Sequence, residues 1–218
     1  MSQLNQLLLN FNHKQNFNYN DFYVSQCNYY AFHLIESWPK WDKKIINIFG
    51  EKFCGKSHLS NIFKSKFKAE IIKEKQINND IFKMLKVSQN IILEDFENNT
   101  DEKLLYSFFN SVDQDNKYLL VNSSIPLTKM NFKLKDLVSR VNNFMFAEIK
   151  KPDDDLIFAL ILKNFSDKQI KIDKKVIDYI VKRIDRSYRK ITEFIYKVDE
   201  ISLKRKKRID IKLIKEII

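Results

Sequence analysis

Hydrophobic and polar positions in the first two thirds of the chain alternate between two periods. Short apolar, β-branched runs predict buried strands, and apolar residues at every third or fourth position predict amphipathic helices. The predicted strands cover residues 43–49, 69–72, 90–93 and 118–121, and the predicted helices cover 28–38, 57–68, 79–85 and 104–112. Since strands that alternate with helices usually pair in parallel, this order predicts an α/β fold, a parallel sheet flanked by helices.

The pattern changes after Pro152. Only helix-period stretches follow, in residues 156–162, 174–184 and 188–201, which predicts an all-helical C-terminal subdomain. Residues 1 to about 20 show no period and are interpreted as a tail. The sequence therefore predicts three parts, a tail in 1–20, an α/β domain in 21–150 and a helical subdomain in 151–218.

Composition excludes several classes of protein. With 218 residues, 44% of them hydrophobic, the chain can bury one core, or one core with a small satellite, without disulfides. The two cysteines and three histidines do not follow the spacing of zinc ligands, so neither a structural metal nor a disulfide scaffold is expected. The N-terminus does not read as a signal peptide, and no apolar run approaches the roughly 20 residues of a membrane helix, so we expect a cytoplasmic protein without membrane contact.

The chain is strongly basic, with a formal net charge of +11 and a pI near 9.4. Clustered basic residues bind nucleic-acid phosphates, but here lysines are spread through the sequence, which favours a solvated surface. The basic run from Lys204 to Arg208 is likewise interpreted as a solvated turn rather than a DNA clamp. We therefore expect DNA contact to be indirect or weak.

Residues 50–57 match the phosphate-loop pattern G-x-x-x-x-G-K-[ST], between a predicted strand and a predicted helix. The only two glycines of the chain, Gly50 and Gly55, both lie in this motif. Backbone N–H groups around Cys54 and Gly55 are expected to surround phosphate oxygens, helped by the positive end of the helix. Lys56 would reach the β and γ phosphates and Ser57 would ligate Mg²⁺, so the loop predicts binding of ATP or ADP.

The predicted strand at residues 91–93 ends in two carboxylates, Glu94 and Asp95. In phosphate-loop enzymes such acids hold Mg²⁺ and orient the attacking water at the carboxyl edge of the sheet. Aspartate is usual at the first position, so Glu94 indicates slow hydrolysis more than loss of binding. The alternative is a strand that runs into an acidic surface turn. Residues 122–124 end the next strand with short polar side chains, which could sense the γ-phosphate.

The order of these elements resembles the AAA+ class of ATPases, and four stretches are similar to its DnaA family. Residues 22–31 are similar to the family's opening motif F-V-V-G-x-x-N-x-x-A, which lies beside the adenine. Residues 55–59 are similar to G-K-T/S-H-L, residues 104–117 approximately follow a family helix pattern, and residues 137–141 resemble the box with the arginine finger. The resemblance covers nearly all of residues 6–218.

The resemblance implies an AAA+ parallel sheet with a C-terminal helical lid in residues 151–218. It places Asn28 and His58 beside the nucleotide. Arg189 is implied to be a sensor arginine that contacts the nucleotide bound in the same chain. Arg140 is implied to be an arginine finger that acts on the nucleotide of a neighbouring subunit, as a catalytic residue in trans.

The N-terminal run Gln6-Leu7-Leu8-Leu9-Asn10-Phe11 resembles the Q-L-x-L-x-[FL] peptide that binds the bacterial sliding clamp. Leu7, Leu9 and Phe11 would enter an apolar pocket while Gln6 fixes the register by hydrogen bonds. An edge strand of the domain is the alternative. The family's DNA-binding domain is expected to be missing after Ile218. These features are similar to Hda-type regulators, which act with the clamp to stimulate ATP hydrolysis by a DnaA-type initiator.

Two other functions stay open at this stage. An autonomous AAA+ ATPase such as a helicase loader would share the phosphate loop and the arginine finger, and would show robust intrinsic hydrolysis. A basic nucleic-acid-binding module would instead show salt-dependent binding to random duplex. The sequence leaves a homodimer open, and it does not decide between ADP and ATP as the working ligand.

Overall fold

The computed structural model describes residues 18–78, 80–205 and 207–218, and within them it contains one five-stranded sheet and nine α-helices. The strands are β1 Ile45–Phe49, β2 Glu70–Lys73, β3 Asn90–Phe96, β4 Tyr118–Ser123 and β5 Met145–Glu148. The helices are α1 Tyr29–Glu36, α2 Lys56–Phe67, α3 Ile81–Leu85, α4 Glu102–Gln114, α5 Lys135–Val141, α6 Asp154–Asp167, α7 Lys174–Val181, α8 Tyr188–Arg205 and α9 Ile211–Lys215.

The sheet has the strand order β2-β3-β4-β1-β5, and every neighbouring pair is parallel. In the register, Ile46 lies opposite both Leu120 of β4 and Met145 of β5. Parallel pairing places the carboxyl ends of all strands at one edge, where ligands bind in open α/β sheets. The predicted parallel α/β fold is confirmed.

Both faces of the sheet are buried, which explains the continuous apolar runs of its strands. Ile46 and Ile48 pack under α1 and α2, whereas their neighbour Ile45 belongs to the core on the opposite face. Helix α4 covers that second face with Leu105, Phe108, Phe109 and Val112, all fully buried. Its spacing of three and four residues places these side chains on one helix face.

Helices α6 to α9 form the C-terminal subdomain around a core of their own. Its centre is made by buried residues from each helix: Ile157, Ile161, Phe165, Ile177, Ile180, Ile191, Val198 and Ile214. Asp153 and Asp173 begin α6 and α7 as N-caps that accept hydrogen bonds from backbone N–H groups. The predicted all-helical subdomain is therefore confirmed. Among the described residues, none of the helices combines the length and the apolar character that crossing a bilayer requires.

Four elements differ from the pattern read in the sequence. Strand β5 and helices α5 and α9 were not predicted, because each is short and partly exposed and contains too few apolar residues to show a repeating pattern. Strand β3 continues past Leu93 to Phe96. The extension matters for function because it carries Glu94 and Asp95 within the strand instead of after it.

Candidate functional site

The phosphate loop connects β1 to α2 at the carboxyl edge of the sheet. A Cβ atom at Gly50 would lie 2.7 Å from the carbonyl oxygen of Ile149, so only glycine fits this close approach. Gly55 occupies the N-cap position of α2 with φ of 102°, a left-handed conformation that L side chains rarely adopt. Phe53 is also left-handed, with φ of 69°, and its side chain is exposed. The two glycines are thus required by backbone geometry.

Lys56 is buried inside this loop. Its Nζ donates hydrogen bonds to the carbonyl oxygens of Gly50, at 2.7 Å, and Glu51, at 2.9 Å. The Cys54 side chain packs in the core, with its Sγ 3.7 Å from the ammonium group. Burial raises the pKa of the Cys54 thiol, so the thiol stays protonated at neutral pH. Cys54 can therefore offer a ligand only its backbone N–H.

A polar network links the loop to the ends of β3 and β4. The Ser57 hydroxyl donates to Oε2 of Glu94 at 3.1 Å. Oε1 of Glu94 accepts a hydrogen bond from Asn122 Nδ2 at 3.1 Å, and the same amide donates to Ser60 Oγ at 2.6 Å. Three elements of the chain thereby bring a hydroxyl and a carboxylate together. Hard oxygen donors of this kind suit Mg²⁺, so Ser57 and Glu94 fit the predicted metal.

Asp95 differs from Glu94 in backbone conformation and in exposure to solvent. The register between β3 and β4 shifts between Leu93 and Phe96, and Asp95 has φ of 51°. At this irregularity in the pairing, Glu94 is buried and Asp95 is exposed. Of the two predicted carboxylates, the structure brings only Glu94 into contact with the phosphate loop.

Two buried polar residues near this edge were not singled out in the sequence. Asn47 of β1 donates to Ser123 Oγ at 2.8 Å and accepts from Leu127 N at 3.0 Å, which fixes the turn after β4. Glu74 accepts hydrogen bonds from the backbone N–H of Glu97, at 2.8 Å, and Thr100, at 2.9 Å. Asn47 could have been noticed in the sequence, because it is a polar residue within the apolar run of β1. No sequence pattern marks Glu74.

Asn28 shapes the segment before α1 and is almost fully buried. Its Oδ1 accepts from Ser25 N at 2.8 Å, and its Nδ2 donates to Tyr23 O at 2.9 Å. Both hydrogen bonds are local. The structure therefore gives Asn28 a role in ordering residues 23–28.

His58 lies in the first turn of α2 and contacts the same segment. Its Nε2 is 2.8 Å from the carbonyl oxygen of Asn18. Its ring and the Phe22 ring pack in a T-shaped arrangement, with their centroids 5.2 Å apart. Burial lowers the pKa of His58 below its usual value of 6.5. Phe22 also lies 3.2 Å from the position of a Cβ at Gly55. The opening segment thus packs against the beginning of the phosphate-loop helix.

Glu51 connects the phosphate loop to the C-terminal subdomain. Its Oε1 accepts from Tyr188 N at 2.8 Å, and its Oε2 lies 3.4 Å from Ser187 Oγ, so the carboxylate caps the beginning of α8. The Tyr188 hydroxyl donates to Lys150 O at 3.0 Å, and burial raises the pKa of Tyr188 far above its usual value. This contact could not be predicted from the sequence, because Glu51 occupies a variable position of the motif.

Arg189 follows directly after this contact but does not take part in it. Its Nε donates to Oε1 of Glu193 at 2.8 Å, one helical turn further along α8, and the side chain is 71% exposed. The predicted sensor arginine therefore follows Tyr188, which contacts the phosphate loop. Its own hydrogen bond stays within α8.

Arg140 is held by helix α4 of the same chain. Its Nη1 donates to Oδ2 of Asp113 at 3.1 Å, and the guanidinium carbon lies 5.6 Å from the centre of the Tyr106 ring. The side chain is 25% exposed. These partners lie outside the phosphate loop. Gln6, Leu7, Leu9 and Phe11, the predicted clamp-binding residues, lie outside the described residues.

Comparison with solved structures places this geometry in a known fold. Domain III of the Thermotoga maritima replication initiation protein DnaA has a TM-score of 0.75 at 17% identity, over 93% of this chain and 97% of that one. A DNA replication initiation factor matches with a TM-score of 0.72 at 20% identity, over 86% of this chain and 66% of that one. The replication initiator DnaA bound to AMPPCP and single-stranded DNA gives 0.70 at 19%, over 86% and 67%.

Residues 153–218 match the family model of the Hda lid domain. The chain has the fold of DnaA domain III and carries an Hda-type lid. The lid carries the family match, and the solved structures show the fold. No curated protein sequence matches the chain significantly. The chain spans slightly less than two thirds of the replication initiation factor, so the activity of that whole protein does not transfer to it directly.

The Hda-type lid begins at Asp153, and this residue also joins the lid to the AAA+ domain. Its Oδ1 caps α6 by accepting from Leu156 N at 2.8 Å, while its Oδ2 accepts from Cys27 N at 3.2 Å. Lys163, in the same helix α6, forms an ion pair with Asp21 at 2.8 Å. With Glu51 and Tyr188, these contacts hold the lid against the site.

Proposed function

We propose that the chain binds ATP or ADP with Mg²⁺ at the phosphate loop. The observation that carries this proposal is the 3.1 Å contact between Ser57 and Glu94, which joins the two motifs that such a site requires. Backbone N–H groups of the loop and Lys56 would hold the phosphates, and Ser57 and Glu94 would hold the metal. When bound, Mg²⁺ neutralises charge on the phosphates. The related initiator DnaA has been solved with AMPPCP, which supports a nucleotide ligand.

Binding changes the partners of Lys56. Its ammonium group would exchange the carbonyl oxygens of Gly50 and Glu51 for phosphate oxygens, which are stronger acceptors because they are charged. Asn122 would continue to orient Glu94 from the neighbouring strand. Glu94 is the predicted carboxylate that already contacts the phosphate loop, and because aspartate is usual at its position we expect slow intrinsic hydrolysis.

We propose further that the protein is a regulator of replication initiation, which binds the sliding clamp through its tail and stimulates ATP hydrolysis by a DnaA-type initiator. The Hda-type lid and the DnaA-like fold support this role. Arg140 would act as the arginine finger. Its ion pair with Asp113 is partly solvated, with the carboxylate side chain 58% exposed, and such pairs contribute only about 0–1 kcal/mol. The guanidinium can therefore leave Asp113 for a partner's phosphate at small cost.

The test follows phosphate release from initiator loaded with labelled ATP, in the presence of clamp loaded on DNA. Arg140→Ala should bind nucleotide and clamp normally but lose stimulation, because the transition-state charge in the partner would have no guanidinium beside it. An arginine finger contributes about 10³–10⁵-fold in rate, so the loss should approach the unstimulated level.

Asp113→Asn is the matched control for this experiment. It weakens the same ion pair but keeps the guanidinium, so stimulation should be retained if Arg140 acts in trans. If Arg140 only fastens α5 to α4, both variants should lose thermal stability and stimulation together. Full stimulation by a stable Arg140→Ala protein would refute the finger.

A further inference from the structure

The lid contains a basic cleft on the side formed by the beginnings of α7 and α9. It has a volume of about 530 Å³ and is lined by residues from 171–176 and 208–212. Four of its side chains are cationic: Lys171, Lys175, Arg208 and Lys212. Each of them is exposed, and within the described chain none forms an ion pair. The cleft therefore collects four cations that form no ion pair with the described part of the chain.

Two acids also line the cleft, and both are engaged as helix caps. Asp173 accepts from Lys175 N at 2.8 Å and Asp210 accepts from Leu213 N at 2.8 Å. At these positions the carboxylate charge is offset by the positive end of the helix that it caps. The side chains that line the cleft therefore carry a net charge of +2, and both acids are hydrogen-bonded to backbone N–H groups.

The basic run 204–208 contributes to this cleft in part only. Lys204 and Arg205 lie in the last turn of α8, where Lys204 pairs with Glu200 at 2.5 Å and Arg205 pairs with Glu216. Arg208, by contrast, lines the cleft. Of the described residues of the run, only the last, Arg208, therefore lies in the cleft. There it is close to Lys171 and Lys175, which lie more than thirty positions earlier in the sequence.

Charge is also concentrated in the lid as a whole. Residues 151–218 contain 19 Lys and Arg against 12 Asp and Glu, which places seven of the eleven net positive charges in less than a third of the chain. The spread of lysines through the sequence concealed this asymmetry. A basic face of this kind attracts polyanions over distances of about a Debye length.

We propose that the lid cleft binds the phosphodiester backbone of nucleic acid. Duplex DNA presents one charge per about 1.7 Å of helix axis, so a row of flexible lysines and arginines can neutralise several phosphates at once. Among the apolar residues that line the cleft, Val176 and Ile209 are buried and Ile211 is 37% exposed, so the cations dominate the part of the lining that solvent reaches. The contact is independent of sequence in the nucleic acid. It is separate from the nucleotide site and requires neither the clamp nor an initiator.

The experiment measures fluorescence anisotropy of a labelled 20-base-pair duplex of random sequence between 50 and 200 mM salt. Four phosphate contacts correspond to a slope of about −3.6 in log affinity against log salt, or roughly a 150-fold loss of affinity over this range. The test variant replaces all four cleft cations: Lys171→Gln, Lys175→Gln, Arg208→Gln and Lys212→Gln. Its slope should be flatter by about 3.6, and its affinity at 50 mM salt should fall at least 10-fold.

The control variant removes the same net charge from exposed lysines of the AAA+ domain: Lys64→Gln, Lys86→Gln, Lys103→Gln and Lys135→Gln. It should retain most of the affinity and the slope of the parent. Equal losses in the two variants, or efficient competition by poly-glutamate at matched charge, would show diffuse attraction and overturn the proposal. So would absence of duplex binding by the parent. If the fourfold variant does not fold, the pairs Lys171→Gln with Lys175→Gln and Arg208→Gln with Lys212→Gln are measured separately, and each should lose part of the slope.

Discussion

Replacement of Glu51 by alanine should loosen the lid while the phosphate loop stays folded. In the structure this carboxylate is the loop's contact with the first turn of α8, through Tyr188 N at 2.8 Å and Ser187 Oγ at 3.4 Å. Removal leaves the Tyr188 N–H without its acceptor. Lys56 bonds to the backbone carbonyl of residue 51, so alanine preserves that contact.

The magnitude follows from the two hydrogen bonds. Loss of a side-chain N-cap costs about 1 kcal/mol, and a charged acceptor raises the figure, whereas the 3.4 Å contact adds little. We therefore expect a loss of about 1–2 kcal/mol. For a chain of this size each kcal/mol lowers the thermal midpoint by roughly 2–4 °C, which gives a decrease of about 2–8 °C. Amide exchange in the first turn of α8 should accelerate about 5- to 30-fold.

The assay combines thermal unfolding with hydrogen exchange of peptides that cover residues 182–192. Glu51→Gln keeps a carbonyl acceptor and should show a smaller effect than alanine. Asp42→Ala removes an equal charge from an exposed position and should leave both readouts unchanged. If Glu51→Ala exchanges at the parental rate in α8, the carboxylate does not hold the lid, and the coupling between loop and lid is refuted.

Three further predictions concern the site and the tail. Lys56→Ala should abolish nucleotide binding without unfolding, and calorimetry that finds equal affinity would remove the phosphate-loop assignment. Joint replacement of Gln6, Leu7 and Phe11 by alanine should eliminate co-elution with the cognate clamp and leave nucleotide affinity unchanged; a parent protein that does not bind clamp contradicts the anchor. Because burial lowers the pKa of His58, the unfolded state binds more protons than the folded state below about pH 6.5, so stability should fall as the pH decreases through this range. His58→Gln should flatten this dependence in urea unfolding, and an unchanged pH profile would exclude His58 as its source.

The phosphate loop could be read from the sequence because all its determinants are local. A β-branched strand, two glycines at fixed spacing and a helix start lie within about 20 consecutive residues, and each is enforced by backbone geometry. The same holds for the longer helices and the central strands, whose apolar faces repeat with a single period. Short elements such as β5 and α5 escaped because they are partly exposed and contain too few apolar residues to show a repeating pattern.

Tertiary structure decided which contacts the side chains of the site make. Whether Glu94 or Asp95 faces the loop depends on an irregularity in the pairing of β3 with β4, and pairing between strands is not encoded in either strand alone. Arg140 is hydrogen-bonded to Asp113, Glu51 is hydrogen-bonded to Tyr188, and Arg208 lines the same cleft as Lys171. In each pair the two residues are 27 or more positions apart in the chain. Sequence patterns report the preferences of neighbouring residues, whereas these contacts exist only after packing of the helices has brought distant segments together.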